Sequence, residues 1–136
     1  MMKIDHLGIA VHSISDSLTF YHGALVLELS GMETVEDQGV RVALLPVGES
    51  RIELLEPVSG ETPVGRFIAK RGEGLHHVAY QVDDVGDALR AAEGAGVELI
   101  DEAPRTGGGG RTLVGFLHPK SVHGVLTELE QDVGRD

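Results

Sequence analysis

Apolar and polar residues alternate over residues 3–11. Leu7, Ile9 and Val11 share one face, while His6, Gly8 and Ala10 point the other way. The same alternation returns at residues 75–83, where Val78, Tyr80 and Val82 oppose His77, Ala79 and Gln81. His76 falls on the apolar side of this second strand, so His77 is the counterpart of His6. A helical period follows each strand. After the first come Leu18, Tyr21, Ala24 and Leu25, with Ser13 or Ser15 as the cap and Asp16 in the first turn. After the second come Val85, Ala88, Leu89 and Ala92, opened by Asp83 or Asp84 and ending near Gly94. Three strand-like runs complete each half: 27–35, 40–45 and 51–55, then 97–100, 112–117 and 125–129. Asp37-Gln38-Gly39 and Val47-Gly48-Glu49-Ser50 supply turns. Residues 57–63 form a linker. Within it Thr62 caps a short helix with Pro63 at its first position, running through Val64, Phe67 and Ile68 to Gly72.

The two halves are copies. A shift of 71 residues pairs His6 with His77, Val11 with Val82, Asp16 with Asp87, Leu18 with Leu89, Gly23 with Gly94 and Val26 with Val97. One register maintained through a strand, a turn and a helix is the mark of an internal repeat. The expected architecture is α+β: two tandem β-α-β-β-β modules, about 3–56 and 74–130, in one domain spanning residues 1–136.

A length of 136 residues suits a single domain with a real core. The 41% hydrophobic and 24% charged content is that of a globular chain. No apolar run reaches spanning length and no basic-then-apolar leader opens the chain, so no membrane is expected and a cytoplasmic setting is. A formal charge of −11 argues against a nucleic-acid surface. With no cysteine, a metal must use nitrogen and oxygen ligands.

The last strand of each module carries a glutamate between apolar neighbours. Glu53 opposes Ile52 and Leu54, and Glu128 opposes Val125, Thr127 and Leu129. Such a carboxylate is costly on an interior strand unless it is paired or metal-bound. His6, Glu53, His77 and Glu128 thus form a quasi-symmetric set of two imidazoles and two carboxylates, suited to a borderline divalent cation. Any one of them alone reads as a satisfied core group; their matching module positions favour the metal. His12, His22 and His123 read as solvent-exposed, and His118 as orienting the loop before the last strand. Lys120 is the cation best placed to meet an acidic ligand, with a plain solvated lysine as the alternative. Arg66, Lys70, Arg71, Arg105 and Arg111 read as solvated charges. The run of four glycines at 107–110 reads as a surface loop rather than a phosphate cradle, because no helix follows it.

Paired β-α-β-β-β modules with a metal at their junction resemble the glyoxalase, or vicinal oxygen chelate, superfamily, and within it the methylmalonyl-CoA epimerases. The resemblance covers nearly all of residues 4–130. It is carried by Asp5-His6-Leu7-Gly8-Ile9-Ala10-Val11, Asp37-Gln38-Gly39-Val40-Arg41-Val42, Ile52-Glu53-Leu54-Leu55-Glu56-Pro57 and Gly74-Leu75-His76-His77. Phe116-Leu117-His118-Pro119-Lys120-Ser121 and Gly124-Val125-Leu126-Thr127-Glu128-Leu129 complete it. It implies a cupped mixed sheet around a metal site, with one divalent ion per chain (cobalt, manganese, nickel or zinc) on His6, Glu53, His77 and Glu128. It also implies an acyl-CoA substrate, a homodimer, and substrate contacts from Lys120, Ser121 and Gln38. The implied reaction exchanges the two configurations of methylmalonyl-CoA by α-proton abstraction through an enolate. Some members carry glutamine at position 53, and some carry a carboxylate base where this chain has Val42. That departure leaves Glu53 and Glu128 as the candidate bases. A glyoxalase-type isomerase, a ring-cleaving dioxygenase and a non-enzymatic small-molecule binder are the alternatives within the same superfamily. The 4% aromatic content weighs against an aromatic-binding pocket.

Overall fold

The computed structural model describes residues 2–107 and 110–134. The chain divides into two compact units, His6–His76 and His77–Asp136, with Met1–Asp5 grouped with the latter. Each repeats the order expected from the sequence.

In the first module β1 (Lys3–Ala10) leads to α1 (Ile14–Leu18), and β2 (Gly31–Val35), β3 (Val40–Val47) and β4 (Ser50–Pro57) follow. The strand order is β2-β3-β4-β1. Neighbours are antiparallel except β1 and β4, which run parallel with His6 opposite Arg51 and Gly8 opposite Glu53. Gly39, at φ 64°, makes the turn between β2 and β3. A Cβ there would stand 2.5 Å from the Thr62 methyl, so both the conformation and the space call for glycine.

Two apolar clusters cover the two faces of this half-sheet. Val11, Ala43, Leu45 and Leu54 pack with Ile14 of α1 on one face. On the other, Ala10, Val40, Val42 and Leu55 pack with Val64 and Ile68 of α2 (Pro63–Arg71). Strand parity places His6 and Glu53 on this second face. The Thr62 side chain caps α2 through the Gly65 amide, as its sequence suggested.

Two local expectations changed in this first module. The helix expected through Leu25 begins as α1, capped by Ser13, and then widens into a π-helix over Thr19–Ala24. The wider turn keeps Leu18 and Tyr21 on the core but leaves Phe20, Leu25 and Val26 exposed. In the run 27–35 only Gly31–Val35 pairs as a strand; Leu27 and Leu29 instead pack against the α1-side core. Their alternation reflects one-sided burial without a partner strand.

The second module runs β5 (Gly74–Gln81), α3 (Val85–Gly94), β6 (Arg105–Gly107), β7 (Thr112–Leu117) and β8 (Thr127–Asp132), in the strand order β5-β8-β7-β6. Asp84 caps α3 through the Asp87 amide. Val85 and Leu89 pack on Val82, Leu117 and Leu129. Helix and sheet approach closely at Gly115, where a Cβ would stand 2.9 Å from a Leu89 methyl. The parallel pair β5–β8 sets Ala79 opposite Glu128.

Residues 97–100 contribute only an isolated bridge, Leu99 to Leu117, and β6 takes the edge instead. Two Asp101 contacts secure this arrangement. Its carboxylate accepts from the Phe116 amide at 2.8 Å and from Arg105 Nε at 3.0 Å. The last strand starts at Thr127 rather than residue 125, because His123 (φ 67°) and Gly124 (φ 92°) turn the chain and leave Val125 exposed. Of the glycine run, Gly108 and Gly109 lie outside the described residues.

Candidate functional site: two matched His–Glu pairs

The repeat is stricter in three dimensions than in sequence. In β1 the residue two beyond His6, Gly8, stands opposite Glu53; in β5 the residue two beyond His77, Ala79, stands opposite Glu128. Small residues at both positions leave space over the strand between each histidine and its glutamate. His6 Nε2 lies 3.6 Å from Glu53 Oε1, and His77 Nε2 lies 3.3 Å from Glu128 Oε1. His6, His77 and Glu128 are buried, and the Glu53 side chain is only 13% exposed.

Two chemistries bring an imidazole nitrogen and a carboxylate oxygen this near to one another. A charge-assisted hydrogen bond would be about 2.7–2.9 Å. Two ligands each about 2.1 Å from one ion stand roughly 3.0–3.4 Å apart at octahedral or tetrahedral angles. The His77–Glu128 separation falls within the ligand spacing, and the His6–Glu53 separation stands about 0.2 Å beyond it. His77 and Glu128 belong to a buried His/Glu group with the ligand atoms to hold a metal ion. The donor set, imidazole nitrogen with carboxylate oxygen and no thiolate, fits a divalent cation of borderline hardness.

The same repeat anchors the helices. Glu56, three residues after Glu53, accepts from the Ile14 amide at 2.8 Å; Gln131, three after Glu128, accepts from the Val85 amide at 2.9 Å. Each last strand therefore supplies one side chain beside the histidine and another at the start of the module's helix. A shift in strand register would disturb both.

His76 is half-buried, on the opposite face from His77, with its ring edge-on to Phe67 at 4.9 Å. Burial lowers its pKa from the usual histidine value, favouring the neutral ring. His12, His22 and His123 are exposed. His118 Nδ1 accepts from the Lys120 amide at 3.1 Å and so orients the turn before β8. Lys120 itself is exposed on that turn. The Ser121 hydroxyl accepts from the Glu98 amide at 2.8 Å and donates to the His118 carbonyl at 3.2 Å, so it already braces the turn. Gln38 is exposed in the 3-10 turn between β2 and β3. Val42 is buried in the apolar cluster beneath α2.

Sequence reasoning passed over three features. Arg51 Nε donates to Glu53 Oε2 at 2.7 Å. Its signal was available, because residues two apart on a strand share a face. Phe116 stands opposite Glu128 in the β7–β8 register and edge-on to His77, with ring centroids 6.1 Å apart. Asp5 and Glu130 are further buried carboxylates.

Residues 5–116 match the family model for the glyoxalase/bleomycin resistance protein/dioxygenase superfamily. The chain belongs to this superfamily. Its α+β fold of two β-α-β-β-β modules is glyoxalase-like. An uncharacterised Bacillus subtilis protein, YqjC, is 41% identical over 98% of this chain and 95% of its own length. An ethylmalonyl-CoA/methylmalonyl-CoA epimerase of Cereibacter sphaeroides is 32% identical, covering 95% of this chain and 97% of the relative. A solved methylmalonyl-CoA epimerase in complex with methylmalonyl-CoA and NH4+ superposes with a TM-score of 0.90. It is 38% identical, over 98% of this chain and 96% of that one. The superfamily member described here is therefore a homologue of methylmalonyl-CoA epimerases.

Proposed function

We propose that this protein interconverts (R)- and (S)-methylmalonyl-CoA, using one divalent ion held by His6, Glu53, His77 and Glu128. The repeated His–Glu pair is the observation that carries the reading: the same two donors recur at the same strand register in both modules. Likeness to epimerases along nearly the whole chain supplies the substrate class. Cobalt, manganese, nickel and zinc all suit the donor set. The family resemblance brings a homodimer and a cytoplasmic setting into the same proposal. No described helix is long and apolar enough to cross a membrane.

The α-proton of a malonyl thioester is weakly acidic, so negative charge must be stabilised as the proton leaves. Bound at this site, a divalent ion supplies Lewis-acid stabilisation of the developing oxyanion. The chain's own residues do the rest. Glu53 and Glu128, at equivalent module positions, are the proton carriers, one taking the proton and the other returning a different one to the opposite face. Phe116, opposite Glu128 and edge-on to His77, adds apolar surface beside the pair. Lys120 meets the substrate carboxylate, and Gln38 and Ser121 add polar contacts.

Turnover of one enantiomer in deuterated water tests this route. Two carriers should leave solvent deuterium at the α-carbon of product formed in a single turnover. Product that keeps its original proton would point to one base shuttling it, against the proposal.

A further inference from the structure

The two modules differ at one position beside the paired residues. Shifting Glu53 onto Glu128 carries Arg51 onto Leu126, whose side chain cannot form an ion pair. Only the first module therefore places a guanidinium on the strand residue two before its glutamate. Arg51 stands opposite His6 in the β1–β4 register. Its Nε donates to Glu53 Oε2 at 2.7 Å, while Oε1 of the same carboxylate faces His6 Nε2 at 3.6 Å. The two oxygens are thus divided between two partners.

The geometry points to Arg51 as a positioning residue: it commits Oε2 of Glu53, leaving Oε1 as the single oxygen offered to the metal, and it balances the Glu53 charge. This rests on the metal site proposed above. A carboxylate with both oxygens available can chelate an ion through both, which raises its coordination number. An oxygen already bound to a guanidinium through one lone pair is withdrawn from that choice, while its second lone pair stays open to the proton that Glu53 carries. Arg51 suits the task because its planar fork fixes the direction of the bond. Its side chain is one-third exposed, which keeps the charge partly solvated.

Cobalt(II) reports on this directly, because its visible bands weaken as coordination number rises, whether or not the enzyme turns over. The spectra to compare are those of the cobalt-loaded wild type, Arg51→Gln, Arg51→Lys, Glu53→Gln and the double variant Arg51→Gln/Glu53→Gln. Arg51→Gln should lose roughly half of the visible band intensity as the second carboxylate oxygen joins, and Arg51→Lys, which keeps the charge but not the planar fork, should restore only part of it. In the Glu53→Gln background, Arg51→Gln should change nothing, since no second carboxylate oxygen is present. An Arg51→Gln spectrum equal to wild type, or an equal change in both backgrounds, overturns the assignment. His6→Ala separates this from the underlying site. If that variant still binds cobalt with wild-type affinity, the metal site is wrongly placed and the role of Arg51 falls with it. If it loses cobalt while the Arg51 spectra stay flat, the site stands and only the positioning role fails.

Discussion

Adjacent histidines on opposite faces of one strand give the sharpest mutational contrast. His77→Ala removes a proposed ligand; His76→Ala removes a ring packed on Phe67 from the other side of β5. Loss of an outer partner of a metal ligand typically costs 10–100-fold in affinity, so loss of His77 itself should weaken cobalt(II) binding by at least about 100-fold. His76→Ala should leave affinity within about threefold of wild type. It should cost stability instead. An edge-to-face aromatic pair contributes about 0.5–1.5 kcal/mol beyond its burial, and roughly 4 °C of melting temperature accompanies each kcal/mol in a chain of this size. A fall of about 2–6 °C is expected. The pH dependence has a definite sign. Because burial lowers the His76 pKa, the unfolded chain binds a proton below about pH 6.5 that the folded chain resists. That contribution to stability is fully present above pH 6.5 and is lost as the pH falls towards the lowered folded value. His76→Ala should flatten this part of the profile. Competition titrations against a chromophoric chelator, with melting curves at pH 7.5 and 5.5, read both effects. Equal loss of metal in the two variants, or loss in His76→Ala alone, would refute the assignment of faces.

Lys120→Ala should raise KM for methylmalonyl-CoA about tenfold with metal affinity unchanged, as steady-state kinetics and metal titration would show; an unchanged KM returns Lys120 to plain solvation. Leu89→Ala, which empties a fully buried site beneath Gly115, should cost about 2–5 kcal/mol in denaturant unfolding. A loss below 1 kcal/mol would contradict the described packing of α3.

Strand parity made much of the site legible. Period two is exact enough that His6, His77, Glu53 and Glu128 could be assigned to faces without coordinates, and the structure places each histidine beside its glutamate. Thr62 was legible as a cap, and Ser13 and Asp84 each as one of two neighbouring candidates, because one short polar side chain satisfies one helix amide. Other features depend on partners distant in the chain. The π-helix at Thr19–Ala24 depends on which carbonyl each amide reaches, and six residues hold too few apolar positions to report that. Residues 97–100 and Leu27 and Leu29 carry strand-like alternation, yet pairing requires a free neighbouring edge. In the second module that edge goes to Arg105–Gly107, secured by Asp101. Arg51 shares its face with Glu53, but which of the two oxygens it holds depends on side-chain geometry.

The central claim, a metal-dependent epimerase, is tested most directly by following a single enantiomer of methylmalonyl-CoA with the protein before chelation, after chelation, and after cobalt(II) is restored. The account predicts interconversion, its loss on chelation with the fold intact by circular dichroism, and its recovery on reloading the wild type but not His77→Ala. Undiminished epimerisation by the metal-stripped protein, or none by the fully loaded one, would contradict it.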